Sequence, residues 1–256
     1  GRRRSYSDLL RQRRRASPRL TTMLKVTRGL SGECTRACPV ATIGNFDGHH
    51  LGHRALLQTV VETARAAHGT ALVLTFEPHP VKILAPHVDL RFLTTAEEKL
   101  AYFEAAGIDE VVFLEFTPAF AAMSPDQFAE DILHRSLTLS DLYVGDHFAF
   151  GKGRAGRIDD LVRFGAQYGF RVHPVTPVVI EGGVVSSSRI RRLIQEGKME
   201  RAAVLLGRVY GIRGTVVHGM QQGQAMGWPT ANLHVPADRV VPPDGVYACL
   251  LYTSPS

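Results

Sequence analysis

Thr42-Ile43-Gly44-Asn45-Phe46-Asp47-Gly48-His49-His50-Leu51-Gly52-His53 is the stretch that decides the fold. The apolar run Val40–Phe46 reads as a buried parallel strand, glycines follow it, and His53, Leu56, Leu57, Val60 and Val61 then recur at helical spacing. A strand that feeds a glycine-bearing turn and a helix start gathers free backbone N–H groups and the positive end of the helix dipole in one place. That is an anion site. His50 and His53 lie three apart and share a face on the first helical turn, with room beside them at Gly52. A single histidine is more often structural than chemical. His-x-Gly-His directly after a strand is more specific, and suits the oxygens of a polyphosphate.

Downstream, strand and helix patterns alternate. Thr70–Phe76 is a second strand and ends in Glu77-Pro78-His79-Pro80, a stiff loop at the strand's carboxyl end, where open α/β sheets place ligands. Thr94-Thr95-Ala96-Glu97-Glu98 opens a capped helix to about Ala106, and Asp109–Phe116 is a third strand. Ser124-Pro125-Asp126-Gln127 opens another helix, with Ser at the N-cap, Pro at the first position and Gln at the third. Leu142–Phe150 is a fourth strand, Ile158–Tyr168 a helix and Arg171–Ile180 a fifth strand. The alternation predicts an α/β protein with a Rossmann-like, doubly wound parallel sheet. Past Leu206 the chain turns rich in Gly, Pro and Val, with strand-like pieces at Gly214–Val217 and Gly245–Leu251. This reads as the start of a small β-barrel, with a boundary near Gly207.

The 256 residues are 45% hydrophobic, enough for one full α/β domain and part of another. Mean hydropathy is −0.03 and no run approaches a membrane span, so a protein without a membrane segment is expected. The net charge of +6 misleads, because residues 1–22 hold eight arginines and one acid. Taking eight from the 30 basic residues and one from the 24 acidic residues leaves a body of net charge −1, which argues against a general nucleic-acid surface. The arginine-rich stretch reads as a disordered extension, either a transit peptide or non-native sequence ahead of a start at Met23; the second reading is preferred. Cys34 and Cys38 have loose metal-like spacing but lack a second pair, and with Cys249 are expected as reduced, cytosolic thiols.

Gly44-Asn45-Phe46-Asp47-Gly48-His49-His50-Leu51-Gly52-His53 resembles the flavin branch of the His-x-Gly-His adenylyltransferases, the prokaryotic bifunctional riboflavin kinase/FAD synthetases. Ser186-Ser187-Ser188-Arg189-Ile190-Arg191 resembles the Ser-Ser-Thr-x-x-Arg signature of the same superfamily, with Ser188 keeping the hydroxyl of the usual Thr. On the residues alone, three hydroxyls at a helix start could simply be caps. With Arg191 three residues beyond Ser188, they also suit a second phosphate contact.

Gly151-Lys152-Gly153-Arg154-Ala155-Gly156 matches Gly-x-Gly-x-x-Gly, but it follows the fourth strand and no acid lies near Thr176, so a dinucleotide fingerprint is set aside. Gly145 to Gly153 lacks the spacing and hydroxyl of a Walker loop. Val144 to Arg154 instead resembles the family block that helps form the nucleotide and flavin pocket, with His147 where an Asp is usual. Gly227-Trp228-Pro229-Thr230-Ala231-Asn232 resembles the riboflavin kinase motif Gly-Phe-Pro-Thr-Ala-Asn. Asp244-Gly245-Val246-Tyr247-Ala248 continues that likeness, while the family's catalytic Glu has no position before Ser256. The barrel is therefore expected to be incomplete and inactive as a kinase.

The resemblance implies FMN + ATP → FAD + pyrophosphate, in a cytoplasmic, monomeric or weakly oligomeric enzyme with Mg²⁺ and the small-molecule partners ATP, FMN and riboflavin. It implies an adenylyltransferase domain over residues 23–206 and a partial kinase domain over 207–256. His50, His53 and Arg191 are expected to be catalytic. Gly44, Asn45, Phe46, Asp47, Gly48, Gly52, Ser186, Ser187 and Ser188 are expected at ATP and its phosphates. His79, Asp146, Phe148, Phe150, Gly151 and Arg154 are expected in the flavin or nucleotide pocket. Gly227, Pro229, Thr230 and Asn232 mark the kinase module, where Thr230 and Asn232 would meet Mg²⁺. A sister nucleotidyltransferase would share His-x-Gly-His but not Pro-Thr-Ala-Asn. A class I aminoacyl-tRNA synthetase would need a Lys-Met-Ser-Lys-Ser-like loop, which is absent. A non-catalytic flavin- or nucleotide-binding protein would bind without releasing pyrophosphate.

Overall fold

The structure is a computed structural model and describes residues 23–30, 36–219 and 230–252. The arginine-rich start, Cys34, Gly227 and Pro229 lie outside the described residues.

Six parallel strands form the central sheet: β1 (Lys25–Arg28), β2 (Val40–Ile43), β3 (Ala71–Glu77), β4 (Glu110–Glu115), β5 (Asp141–Gly145) and β6 (Arg171–Val175), in the order β1-β4-β3-β2-β5-β6. The order reverses at β2, which has β3 on one side and β5 on the other. Carboxyl ends at such a switch point open the crevice where α/β sheets bind ligands. The turn after Ile43 sits there, which makes the stretch 44–53 the candidate site.

Residues alternate along each strand between two apolar layers, as a sheet buried on both faces requires. Ala41, Ile43, Leu72, Leu74, Val112, Leu114, Leu142 and Val144 join one layer. Val40, Ala71, Val73, Val111 and Phe113 join the other. Helix α1 (Leu51–Ala66) covers the second layer with Leu57, Val60 and Ala64, and α3 (Ala96–Ala106) covers it with Phe103; the short α2 (Pro80–Leu84) between them has no buried residue. The first layer is covered by the segment from α4 (Pro118–Ala121) through α5 (Pro125–Gln127), a π-helical stretch Phe128–Ser136, and α6 (Ile158–Tyr168). Both expected capping boxes are present, at Thr95 with Glu98 and at Ser124 with Gln127.

A small antiparallel pair, β7 (Val179–Ile180) and β8 (Gly183–Val184), leads into α7 (Ser187–Gln195) and α8 (Met199–Leu206). Ile190, Leu193 and Ile194 all face inward on α7, in a third cluster with Leu205, Tyr210 and Val240. Gly207 closes α8 in the left-handed region, φ +65, where glycine is favoured. Beyond it β9 (Thr215–Val217) pairs with β10 (Asn232–His234).

Four sequence expectations need correction. The run Val40–Phe46 stops being strand at Ile43, because Phe46 takes φ +51 and turns its ring back into the second layer. Likewise the fourth strand ends at Gly145, not Phe150. The fifth divides at Val175, its last residues joining the β7–β8 pair. Gly245–Leu251 forms no strand, and Val246 and Leu250 are exposed; among the described residues it pairs with no strand.

Candidate functional site

Asn45, Asp47, His50, His53, His79, Ser186, Ser187, Ser188 and Arg191 line one cavity of about 510 Å³ at the carboxyl end of β2. Chain segments around residues 45–53, 79 and 186–191 are thus brought together as the motifs anticipated. His50 is the N-cap of α1, and its Nδ1 accepts from the His53 amide at 3.2 Å. That bond places the proton of the neutral ring on Nε2. The His50 and His53 rings stack with centroids 3.6 Å apart, and the edge of Phe46 meets His53 at 5.1 Å. A Cβ at Gly52 would stand 3.2 Å from His50 Cε1 and Nδ1, so glycine there leaves space for the ring. At Gly48, φ is +82 and a Cβ would meet Leu93 at 2.6 Å, which fits only glycine. Gly44 is likewise hemmed in, by the Phe46 ring at 3.1 Å.

These imidazoles are neutral at pH 7. Burial lowers the pKa of His50 to about 4, with Arg208 and Arg191 adding to the effect and Asp47 opposing it. Burial, then Arg208, Arg54 and His50, brings His49 to about 4. His53 is pushed well below the ordinary histidine value by burial and by its two histidine neighbours. In the free protein the rings are therefore hydrogen-bonding groups and not standing positive charges. A bound polyphosphate would raise their pKa values again.

Asp47 holds the site together. Its buried carboxylate accepts from the amides of Leu93 and Thr94, from the Thr94 hydroxyl at 2.9 Å and from Arg191 Nη2 at 2.7 Å. Four interactions from two distant segments leave this side chain saturated, so it braces the cavity wall and has no lone pair facing a ligand. Ser186 caps α7 by accepting from the Arg189 amide, and Ser187 donates to the Asp47 carbonyl at 2.8 Å. Ser188 is exposed at the cavity, and its hydroxyl makes none of the side-chain hydrogen bonds found among the described residues. The three serines thus divide, and two of them do structural work. Arg191 Nε is buried without a partner, and so is Asn45 Oδ1.

A second cavity of about 340 Å³ adjoins the first and shares Asn45, Asp47 and His79 with it. Phe76, Phe92 and Phe113 give it aromatic walls, and Lys82, Lys99 and Arg239 give it cations. His79 caps α2, its Nδ1 accepting from Val81, and burial lowers its pKa to about 4. Burial also lowers the pKa of Lys99. Lys99, Thr94 and Arg239 escaped the sequence reading; the first two lay in a stretch read only as a helix cap.

Asp146, Phe148, Phe150, Gly151 and Arg154 line neither cavity. Phe150 is buried in the first apolar layer beside Phe128, while Asp146 and Arg154 are exposed on the rim after β5. Gly151 packs against Pro125, where a Cβ would stand 2.7 Å from its nitrogen. Thr230 and Asn232 are exposed on the hairpin beyond Gly207. Among the described residues no group of three or more His, Cys, Asp or Glu could hold a metal, and no helix is long and apolar enough to cross a membrane.

A family model for FAD synthetase matches residues 33–189, and one for riboflavin kinase matches residues 206–256. The bifunctional riboflavin kinase/FMN adenylyltransferase of Escherichia coli strain K12 is 41% identical over 230 residues, spanning 88% of this chain and 72% of its own. The protein of the same name from Listeria monocytogenes is 36% identical over 217 residues, 84% and 68% of the two chains. Among solved structures, one titled a macrolide-efflux protein from Streptococcus pneumoniae superposes with a TM-score of 0.76 at 28% identity, over 88% of this chain and 73% of that one.

Proposed function

The chain belongs to the bifunctional riboflavin kinase/FMN adenylyltransferase family, and on that premise we propose how its two adjoining cavities carry out FMN adenylylation. ATP occupies the larger cavity and FMN the smaller, aromatic one. Both volumes lie in the range of small-ligand pockets. The observation that carries this reading is the shared wall of Asn45, Asp47 and His79, which lets the two substrates meet at one seam.

An oxygen of the FMN phosphate attacks the α-phosphorus of ATP; that P–O bond forms as the bond to the bridging oxygen of pyrophosphate breaks. The FMN phosphate is already ionised and needs no base, so the protein's task is alignment and charge stabilisation. His50 and His53 donate N–H to the α-phosphate region. Ser188, Arg191 and the start of α7 receive the β- and γ-phosphates. Gly44, Phe46, Gly48 and Gly52 shape the turn so that backbone can approach. Asp47, Ser186 and Ser187 hold these groups in register.

Mg²⁺ fits this site as an ion carried by the nucleotide. It favours phosphate oxygens and water over a protein cage, and Asn45 Oδ1, buried and unpartnered, offers one hard oxygen. Held with the nucleotide by Asn45, such an ion would neutralise charge on the phosphates. We assign residues 23–206 to adenylyl transfer and 207–256 to a part of the kinase domain, in which Thr230 and Asn232 are the phosphate and Mg²⁺ contacts. The same reading makes the protein a cytoplasmic monomer or weak oligomer acting on small molecules and not on nucleic acid. Incubation with FMN, ATP and Mg²⁺, and separately with riboflavin, followed by chromatography of the flavins, tests it. FAD from FMN is expected; bound yellow flavin with no pyrophosphate released would replace the enzyme with a binding protein.

A further inference from the structure

Arg208 lies just past the helix-ending Gly207, within the riboflavin kinase match, yet its guanidinium reaches back under the turn that carries His-x-Gly-His. Its Nη2 donates to the Gly48 carbonyl at 3.0 Å and its Nη1 to the His49 carbonyl at 3.4 Å. Nε donates to the Tyr102 hydroxyl of α3 at 2.9 Å, and the guanidinium carbon lies 4.6 Å from the Tyr102 ring centre. The His49 ring in turn stacks on Tyr102, with centroids 4.7 Å apart and planes 6° apart. The clamped turn is strained at Phe46 and His49, whose φ values are +51 and +40, on either side of Gly48 at +82, which only glycine adopts freely. Residues held in such regions persist when the surroundings over-determine them. Arg208 supplies that constraint from outside the segment, and the next residue, His50, begins the catalytic pair. Gly207 makes the approach possible, since a Cβ there would stand 2.5 Å from Leu51.

We propose that Arg208 is a positioning residue for adenylyl transfer, by which the segment after Gly207 clamps the Gly48–His49 turn and sets the placement of His50 and His53. The inference rests on the assignment of those two histidines to the reaction. It also makes the two family matches interdependent: a single side chain of the second fixes the working turn of the first.

The charged or titratable groups facing His50 are Asp47, Arg208 and Arg191, those facing His53 are His50 and His49, and those facing the adjacent His49 are Arg208, Arg54 and His50. Removing the Arg208 charge raises the pKa of His50 and of the adjacent His49, so the acid limb of the rate profile set by His50 moves to higher pH. The test uses the full chain with Arg208→Gln, Arg208→Lys and, as a control from the same junction, the exposed Arg213→Gln. FAD formation is followed by chromatography across pH, with urea midpoints alongside. Arg208→Gln is expected to lower kcat roughly tenfold, leave the FMN KM unchanged, and shift the acid limb upward. Arg208→Lys should recover part of the rate and Arg213→Gln should match the unaltered chain. Arg208→Gln with unchanged kcat and acid limb overturns the proposal. So does a kcat loss matched by the loss of folded protein with the acid limb in place. If the unaltered chain makes no FAD at all, the assignment of the histidines fails instead, and the two failures are told apart.

Discussion

Asp47 Oδ2 accepts a hydrogen bond from Arg191 Nη2 at 2.7 Å, joining residues 144 positions apart across the cavity wall. Both side chains are nearly buried, 4% and 15% exposed, so neither is well hydrated if the other is removed. Breaking a buried pair costs more than the pair is worth, because it strands the remaining charge. Asp47→Ala is therefore expected to lose about 3–5 kcal/mol of stability, together with the amide contacts to Leu93 and Thr94. Asp47→Asn keeps an acceptor oxygen for those amides and should lose less. Urea midpoints measure both, and an Asp47→Ala chain as stable as the parent would remove Asp47 from its bracing role.

His53→Ala should separate chemistry from folding. The ring stacks on His50 and touches the edge of Phe46, but it lies at the cavity and its Nδ1 has no partner. Losing one preoriented donor to a developing oxyanion costs about 10²-fold in kcat, while the helix start keeps its His50 cap. A coupled pyrophosphate assay and circular dichroism check the two halves. An unchanged rate would take His53 out of the mechanism.

The main features of this site were legible before any coordinates. Val40–Ile43, the glycines and the histidine pair follow one another in the chain, and their chemistry is local. The capping boxes at Thr95 and Ser124 and the helix Ile158–Tyr168 were legible for the same reason. What escaped depends on partners far away. Lys25–Arg28 is a four-residue edge strand with mostly exposed side chains, and it becomes a strand only by pairing with Glu110–Phe113. The buried role of Phe150 is set by Phe128, and the reach of Arg208 by a boundary that places it beside Gly48. An isolated arginine after a glycine carries no local signal of either contact.

Acid should weaken the fold through its buried histidines. His49, His50 and His79 bind protons near 6.5 in the unfolded chain and near 4 in the folded one. Between those values the unfolded chain holds more protons, so stability rises with pH. Their contribution is complete above the unfolded pKa and is lost as pH falls through about 4. The slope is about 1 kcal/mol per pH unit for each fully buried ring, and less for the partly exposed His79. Urea midpoints at pH 7, 6 and 5 should fall in that order. Bound ATP should reverse the shift at His50 and His53, so calorimetry in buffers of different ionisation heat is expected to show proton uptake at pH 6. No uptake would mean that the phosphates do not meet these rings.

The serines before Arg191 should part company on substitution. Ser186 is the N-cap of α7, so Ser186→Ala is expected to cost about 1 kcal/mol of stability, with any loss of activity following from that. Ser188 is exposed at the cavity and its hydroxyl makes none of the side-chain hydrogen bonds found among the described residues, so Ser188→Ala should leave the urea midpoint in place. Its hydroxyl is free to meet a phosphate, and its loss should raise the KM for ATP several-fold, on the order of one hydrogen bond to a charged group. The KM for FMN should not move. Were Ser186→Ala to raise the ATP KM at full stability while Ser188→Ala did nothing, the phosphate contact would belong to the cap residue and the helix start would have to sit differently against the nucleotide.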